Sequence, residues 1–238
     1  HYVAAFQHYT RIVARQIESV LEALYSTPAG KNTIVIVLAD HGDGMGSHRM
    51  VTKQVSFYEE MTNVPFIIAG PGIHPRQKPV EDLLTQPTID LLPTLCELAG
   101  IPVPSSKPGI SLAPFLKGEK QKRQHPYAAS EWHSEYEVTV SPGRMIRSPR
   151  YKYTHYLEGN GEELYDMLKD KGERRNLAHD PKYSKILAEH RALLDDYIRR
   201  TQDDYRSLKV EADKRWRSHA PGYPNHEGPC ARDIINRK

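Results

Sequence analysis

The apolar positions fall into distinct periodic runs. Between residues 8 and 26, Ile12, Val13, Ile17, Val20, Leu21 and Leu24 recur at spacings of three, four and seven, which predicts an amphipathic helix. Pro28 and Gly30 break it. Residues 34–38, "IVIVL", form a continuous β-branched run of the kind a strand covered on both faces carries. A second such run, "VPFIIAGPG" at 64–72, ends in Gly-Pro-Gly. "QVSFYEEMT" between them is long enough for a short helix, so the expectation is strand, crossover and strand in a right-handed parallel unit.

Further on, Leu91, Leu92, Leu95 and Leu98 line a helix in "TQPTIDLLPTLCELAG", with Gly100 placed as its C-terminal cap. A Pro/Ser/Gly-rich loop at 102–114 leads into the charged connector "FLKGEKQKRQ", whose basic cluster Lys117 to Arg123 reads as a solvated link. After residue 125 the texture changes. "EVTVSPGRMIRSPRYKYTHYLEG" alternates and is punctuated by Ser-Pro, an antiparallel meander to which "EELYDM" adds a short strand. Asp180-Pro181 then opens a helix with Ile186, Leu187, Leu194, Tyr197 and Ile198 on one face. From about residue 216 the periodicity is lost.

Composition narrows the function classes. No run approaches the roughly 18 apolar residues of a membrane span, so no membrane role is expected. The formal net charge is +3, from 33 Lys plus Arg against 30 Asp plus Glu. That balance, with no basic stripe interleaved with aromatics, argues against nucleic acid as a partner. Cys96, among leucines at helical spacing, reads as a small buried hydrophobe rather than a nucleophile. Cys230 lies in the polar tail, and nothing in the spacing pairs the two.

The chemistry concentrates in "LADHGDGMGSHRMVTKQ", residues 38–54. Ligands of open parallel sheets gather beyond the carboxyl ends of the strands, which is where Asp40 and His41 fall. A carboxylate beside an imidazole is a natural pair of metal ligands, and equally a hydrogen-bonded loop. Gly42, Gly44 and Gly46 let the chain fold back, and Lys53 is placed to meet an anion as a point charge.

From Asp40 to Gly72 the chain resembles the second signature region of the type I sulfatases, in the alkaline-phosphatase-like superfamily. The matching residues are Asp40, His41, Gly42, Asp43, Gly46, His48, Lys53, Tyr58, Glu59, Glu60, Val64, Pro65, Pro71 and Gly72, in family order. "TQPTIDLLPTLCELAGI", "GRMIRSPRYKYTHY" and "ELYDMLKDKGERRNLA" extend the similarity, which covers roughly residues 1–200. The resemblance implies an α/β fold. Residues 1–124 would be the C-terminal half of an alkaline-phosphatase-like parallel-sheet core, 125–215 a small antiparallel sheet and helix subdomain, and 216–238 an irregular tail. It implies that Asp40 and His41 ligate a divalent cation. Calcium is typical of the family, whereas the imidazole leaves manganese open, because calcium prefers oxygen. Lys53 would hold a sulfate oxygen and stabilise transition-state charge. His48 would contact substrate or brace the loop, and His133 would face the substrate or the solvent. Asp43 would order the loop, while Tyr58, Glu59 and Glu60 cap and pack the short helix.

The resemblance also sets out what a sulfatase needs besides. No Cys/Ser-x-Pro-x-Arg stretch, the source of the family's formylglycine nucleophile, occurs in the sequence, and no Asp-Asp pair precedes Asp40. The expectation is therefore an incomplete part of a sulfuric ester hydrolase acting on organic or carbohydrate sulfate esters. The N-terminal half of the same enzyme would be its partner and would carry the formylglycine. Export from the cytoplasm is the family habit. Phosphodiester or phosphonate ester hydrolysis, and a non-catalytic remnant that binds an anion or a partner, are the competing expectations.

Overall fold

The computed structural model describes residues 1–50, 56–81, 83–105, 108–121, 125–132, 142–157 and 161–207. The chain divides into two compact units, His1–Ala128 and Ala129–Lys238. Among the described residues no helix is long and apolar enough to cross a membrane.

The first unit opens with α1, Tyr2–Tyr25, which begins a turn and a half before the apolar periodicity does. Its stripe is present but uncovered: none of its residues is buried, and Val13 and Val20 are 51% and 68% exposed. Then come β1 (Val35–Leu38), the four-residue α2 (Glu59–Thr62) and β2 (Phe66–Ala69). The two strands pair antiparallel, with Val35 opposite Ala69 and Leu38 opposite Phe66. This corrects the expected parallel crossover. The chain between them does not run back along the sheet. Its ends meet at the carboxyl end of β1, where the Gly42 N–H donates to the Met61 carbonyl at 2.9 Å.

The helix α3, Pro87–Leu98, starts on a proline, whose missing N–H costs nothing in a first turn. It ends as expected. Gly100 takes φ +68, its N–H meets the Glu97 carbonyl, and the Ile101 N–H reaches the Cys96 carbonyl at 2.8 Å, which closes the helix in a Schellman motif. The buried edge differs from the expected leucine face. Asp90, Pro93 and Thr94 are buried, whereas Leu92 and Leu95 are 45% and 40% exposed and Cys96 is only half-buried. The reason is hydrogen bonding. The Asp90 carboxylate accepts the backbone N–H groups of Gln86 and Ile110, each at 2.8 Å, and lies 2.7 Å from His125 Nε2. Thr94 Oγ1 accepts the Leu112 N–H at 2.9 Å. The loop before α4 (Ala113–Leu116) thus docks where its orphan donors are satisfied.

The second unit is built on a four-stranded sheet in the order β3 (Ala128–Trp132), β4 (Gly143–Arg147), β5 (Tyr151–Tyr156), β6 (Glu162–Asp166). The pairs β4–β5 and β5–β6 are antiparallel, as the alternation predicts. Register aligns Ile146, Tyr153 and Leu164 in one row across three strands, all at most 1% exposed. Against β4 and β5 packs α5, Ser184–Thr201, through buried Leu187, His190 and Leu194. Its entry is set by Asp180, whose side chain accepts the Lys182 N–H, followed by Pro181. Beyond α5, Asp203 takes the Arg144 guanidinium in two bonds of 2.6 and 2.8 Å, and the Tyr205 ring stacks 4.5 Å from the guanidinium carbon.

One face of this sheet buries charge. Lys152 and Glu173, both 1% exposed at the side chain, pair at 2.9 Å, and Glu163 is buried nearby at 4%. Burial, reinforced by the Glu173 carboxylate and opposed by Lys152, pushes the Glu163 carboxyl up to about 7. A carboxyl whose folded value is raised binds its proton more tightly in the folded state. Its stabilising contribution is full below the unfolded value and is lost as pH rises toward 7. Thermal unfolding between pH 5 and 8 checks this. We expect stability to fall across that window by on the order of 3 kcal/mol from this group, and Glu163→Gln to flatten the slope.

Candidate functional site

At the carboxyl end of β1 the chain reaches Asp40 and His41 with no further sheet partner, so both side chains stand in solvent, 88% and 42% exposed. They face one another. Asp40 Oδ1 accepts the His41 backbone N–H at 2.9 Å, and Oδ2 lies 3.7 Å from His41 Nε2. The other ring nitrogen, Nδ1, sits 2.7 Å from the Gly42 carbonyl oxygen. A carbonyl only accepts, so this contact places a proton on Nδ1, while Nε2 is the nitrogen turned to the Asp40 carboxylate. The tip therefore presents one carboxylate oxygen and one imidazole nitrogen side by side. Their separation is less than twice a metal–ligand distance of about 2.0–2.4 Å, so both are able to reach one ion.

The tip is held from behind. Gly42 lies so close to α2 that a Cβ there would stand 1.8 Å from the Glu60 carbonyl oxygen, which only a glycine avoids. A Cβ on Gly44 would likewise stand 2.3 Å from Met50 Cβ. Asp43 Oδ1 accepts from the Tyr2 hydroxyl and the Met45 N–H, each at 2.9 Å, which makes it the loop-ordering acceptor. The Gly46 N–H closes on the Met50 carbonyl at 2.7 Å. Three residues with side chains, Met45, His48 and Arg49, take left-handed φ values of 49°, 49° and 62°. Each costs about 1 kcal/mol or more and persists only where surroundings over-determine it. His48 shows one such constraint. Its ring stacks on Tyr58 at 3.6 Å and 3° between planes, and its Nε2 lies 4.0 Å from Glu60 Oε2.

Of the residues singled out by sequence, Asp40 and His41 are brought together, and His48 joins them through α2. Lys53 and His133 lie outside the described residues, as does Cys230. The Tyr58 ring and the α2 carbonyls escaped sequence reasoning as partners of this loop, because neither spacing nor residue type marks a close backbone approach across residues 42–61.

The family described as N-sulphoglucosamine sulphohydrolase, C-terminal, matches residues 46–200. The chain belongs to this sulfatase family. Over its full 238 residues it is 76% identical to the Delta 4,5-hexuronate-2-O-sulfatase of Bacteroides thetaiotaomicron, and it spans 50% of that protein. It superimposes on the structure of a 2-O GAG sulfatase with a TM-score of 0.88 and 76% identity, covering 98% of this chain and 50% of the other. A protein solved in complex with its substrate D-glucosamine-2-N,6-O-disulfate matches at a TM-score of 0.72 and 25% identity, covering 82% of this chain and 40% of that one.

Within this sulfatase-family loop the tightest constraint is Gly42. Gly42→Ala is expected to push α2 away and splay the Asp40–His41 pair, destabilising the fold by about 1–3 kcal/mol. Denaturant unfolding of parent and variant measures it.

Proposed function

We propose that the chain forms part of a metal-assisted sulfuric ester hydrolase whose substrates are sulfated carbohydrates, with 2-O-sulfated hexuronate units as the class. The supporting observation is the 76% identity to a hexuronate-2-O-sulfatase along the whole of this chain. The chain spans half of that relative, and it contains no Cys/Ser-x-Pro-x-Arg stretch. In this reading the nucleophile comes from the remaining half of the enzyme, and this chain supplies cation ligands and anion-holding groups.

Asp40 and His41 would hold the divalent cation. Their donor set, one exposed carboxylate and one imidazole whose Nδ1 meets the Gly42 carbonyl, suits calcium only with several further oxygens and suits manganese more readily. When bound, the ion supplies Lewis-acid polarisation of a sulfate oxygen. Lys53 would supply a positive charge to the same oxyanion, where charge grows in the transition state. His133 is assigned to the substrate side.

Sulfate release from an unsaturated 2-O-sulfated uronate disaccharide by the intact protein tests the proposal. We expect turnover, with Asp40→Ala and His41→Ala each reducing kcat/KM by at least about 100-fold, and Lys53→Ala reducing it by roughly 100- to 1,000-fold. Absence of sulfate release alongside cleavage of an aryl phosphonate ester would move the chain to the neighbouring ester chemistry. No hydrolysis of either ester would leave an anion-binding role.

A further inference from the structure

His48 is placed where two readings diverge: an imidazole that touches substrate, or a ring that holds the loop. The structure favours the second. One face of the ring is covered by Tyr58, with centroids 3.6 Å apart and planes 3° from parallel, and the side chain keeps only 18% of its surface. Nε2 points toward Glu60, at 4.0 Å, beyond direct hydrogen-bond length. The backbone at His48 is left-handed, so the ring is directed inward at the expense of a relaxed chain.

The short helix α2 is gripped from two directions. Gly42 bonds to Met61 and lies against the Glu60 carbonyl, while His48 stacks on Tyr58, the residue before the helix. The loop from Gly42 to His48 thus wraps the helix, and its grip closes at the two stacked rings. We infer that His48 is a positioning residue: its stack on Tyr58 keeps α2 seated against Gly42 and thereby keeps Asp40 and His41 aimed at a common point. This rests on Asp40 and His41 acting as the cation pair proposed above. The stack calls for a flat ring at this position, which separates this role from substrate contact through a ring nitrogen.

The test compares His48→Phe, which keeps a flat ring, with His48→Ala, which does not, in the intact protein. The first readout is hydrogen exchange of the Gly42 amide without added metal. The second is manganese binding by calorimetry. His48→Ala is expected to speed Gly42 exchange and to weaken manganese binding, each by about tenfold, while His48→Phe stays within about twofold of the parent in both. Tyr58→Ala should repeat His48→Ala, and it serves from the opposite ring if His48→Ala does not accumulate. Equal losses in His48→Phe and His48→Ala would show that the imidazole itself is used and would overturn the inference. Unchanged Gly42 exchange in both alanine variants would overturn it as well. A parent that binds no manganese would sink the cation reading alone, because Gly42 exchange still decides the brace.

Discussion

The approach of Gly42 to the back of α2 is the constraint on which the site depends. A single hydrogen bond joins Gly42 to Met61, and the absent side chain lets the Glu60 carbonyl come within a distance no Cβ would tolerate. This contact turns the chain so that Asp40 and His41 emerge together from the end of β1. Without it, two adjacent exposed residues on a loop would sample many rotamers, and in the proposed cation role the entropy of ordering them would count against binding. With it, the pair is directed before anything binds. The left-handed backbone at Met45, His48 and Arg49 is the cost of wrapping so few residues around so short a helix.

Elsewhere the fold is held by polar groups where apolar ones would be expected. Asp90 and Thr94 fasten the loop ahead of α4 by accepting its backbone N–H groups, and Arg144 with Asp203 fastens the segment following α5. Such bonds are directional, so they specify one docking geometry, whereas leucines packed in their place would tolerate several. The buried Lys152–Glu173 pair beside Glu163 belongs to the same pattern. Breaking one partner of such a pair leaves an uncompensated charge, which costs far more than the pair contributes.

Much of this was legible in the sequence. The strands at 35–38 and 66–69, the short helix ahead of the second, the Gly100 cap, the antiparallel meander and the Asp180-Pro181 helix start are each written in local chemistry that the fold leaves intact. Strand direction was not. A parallel crossover needs a long connection and an antiparallel return tolerates one, so the helix-containing stretch between the two runs fits both, and the pairing of Val35 with Ala69 and Leu38 with Phe66 decides between them. The leucines of α3 show a second limit. Periodicity identifies an apolar face but not what covers it, and in this chain the covered face belongs to Asp90 and Thr94. At the site, the mutual facing of Asp40 and His41 was legible because the two adjoin at a strand end, while their ligand role is proposed. The His48–Tyr58 stack was not, because it depends on a left-handed backbone that a histidine does not advertise.

The antiparallel return has a consequence for how such a site diversifies. The stretch from residue 49 to 57 leaves from His48 and comes back at Tyr58, two residues already fastened to each other by their rings. Its ends therefore meet whatever its own length, and closing a longer excursion costs only a slowly growing entropy. Length changes there would fall on the position of Lys53 and not on the strand end that carries Asp40. A lineage could in that way retune the proposed anion-holding group while the paired rings beneath it stay in place.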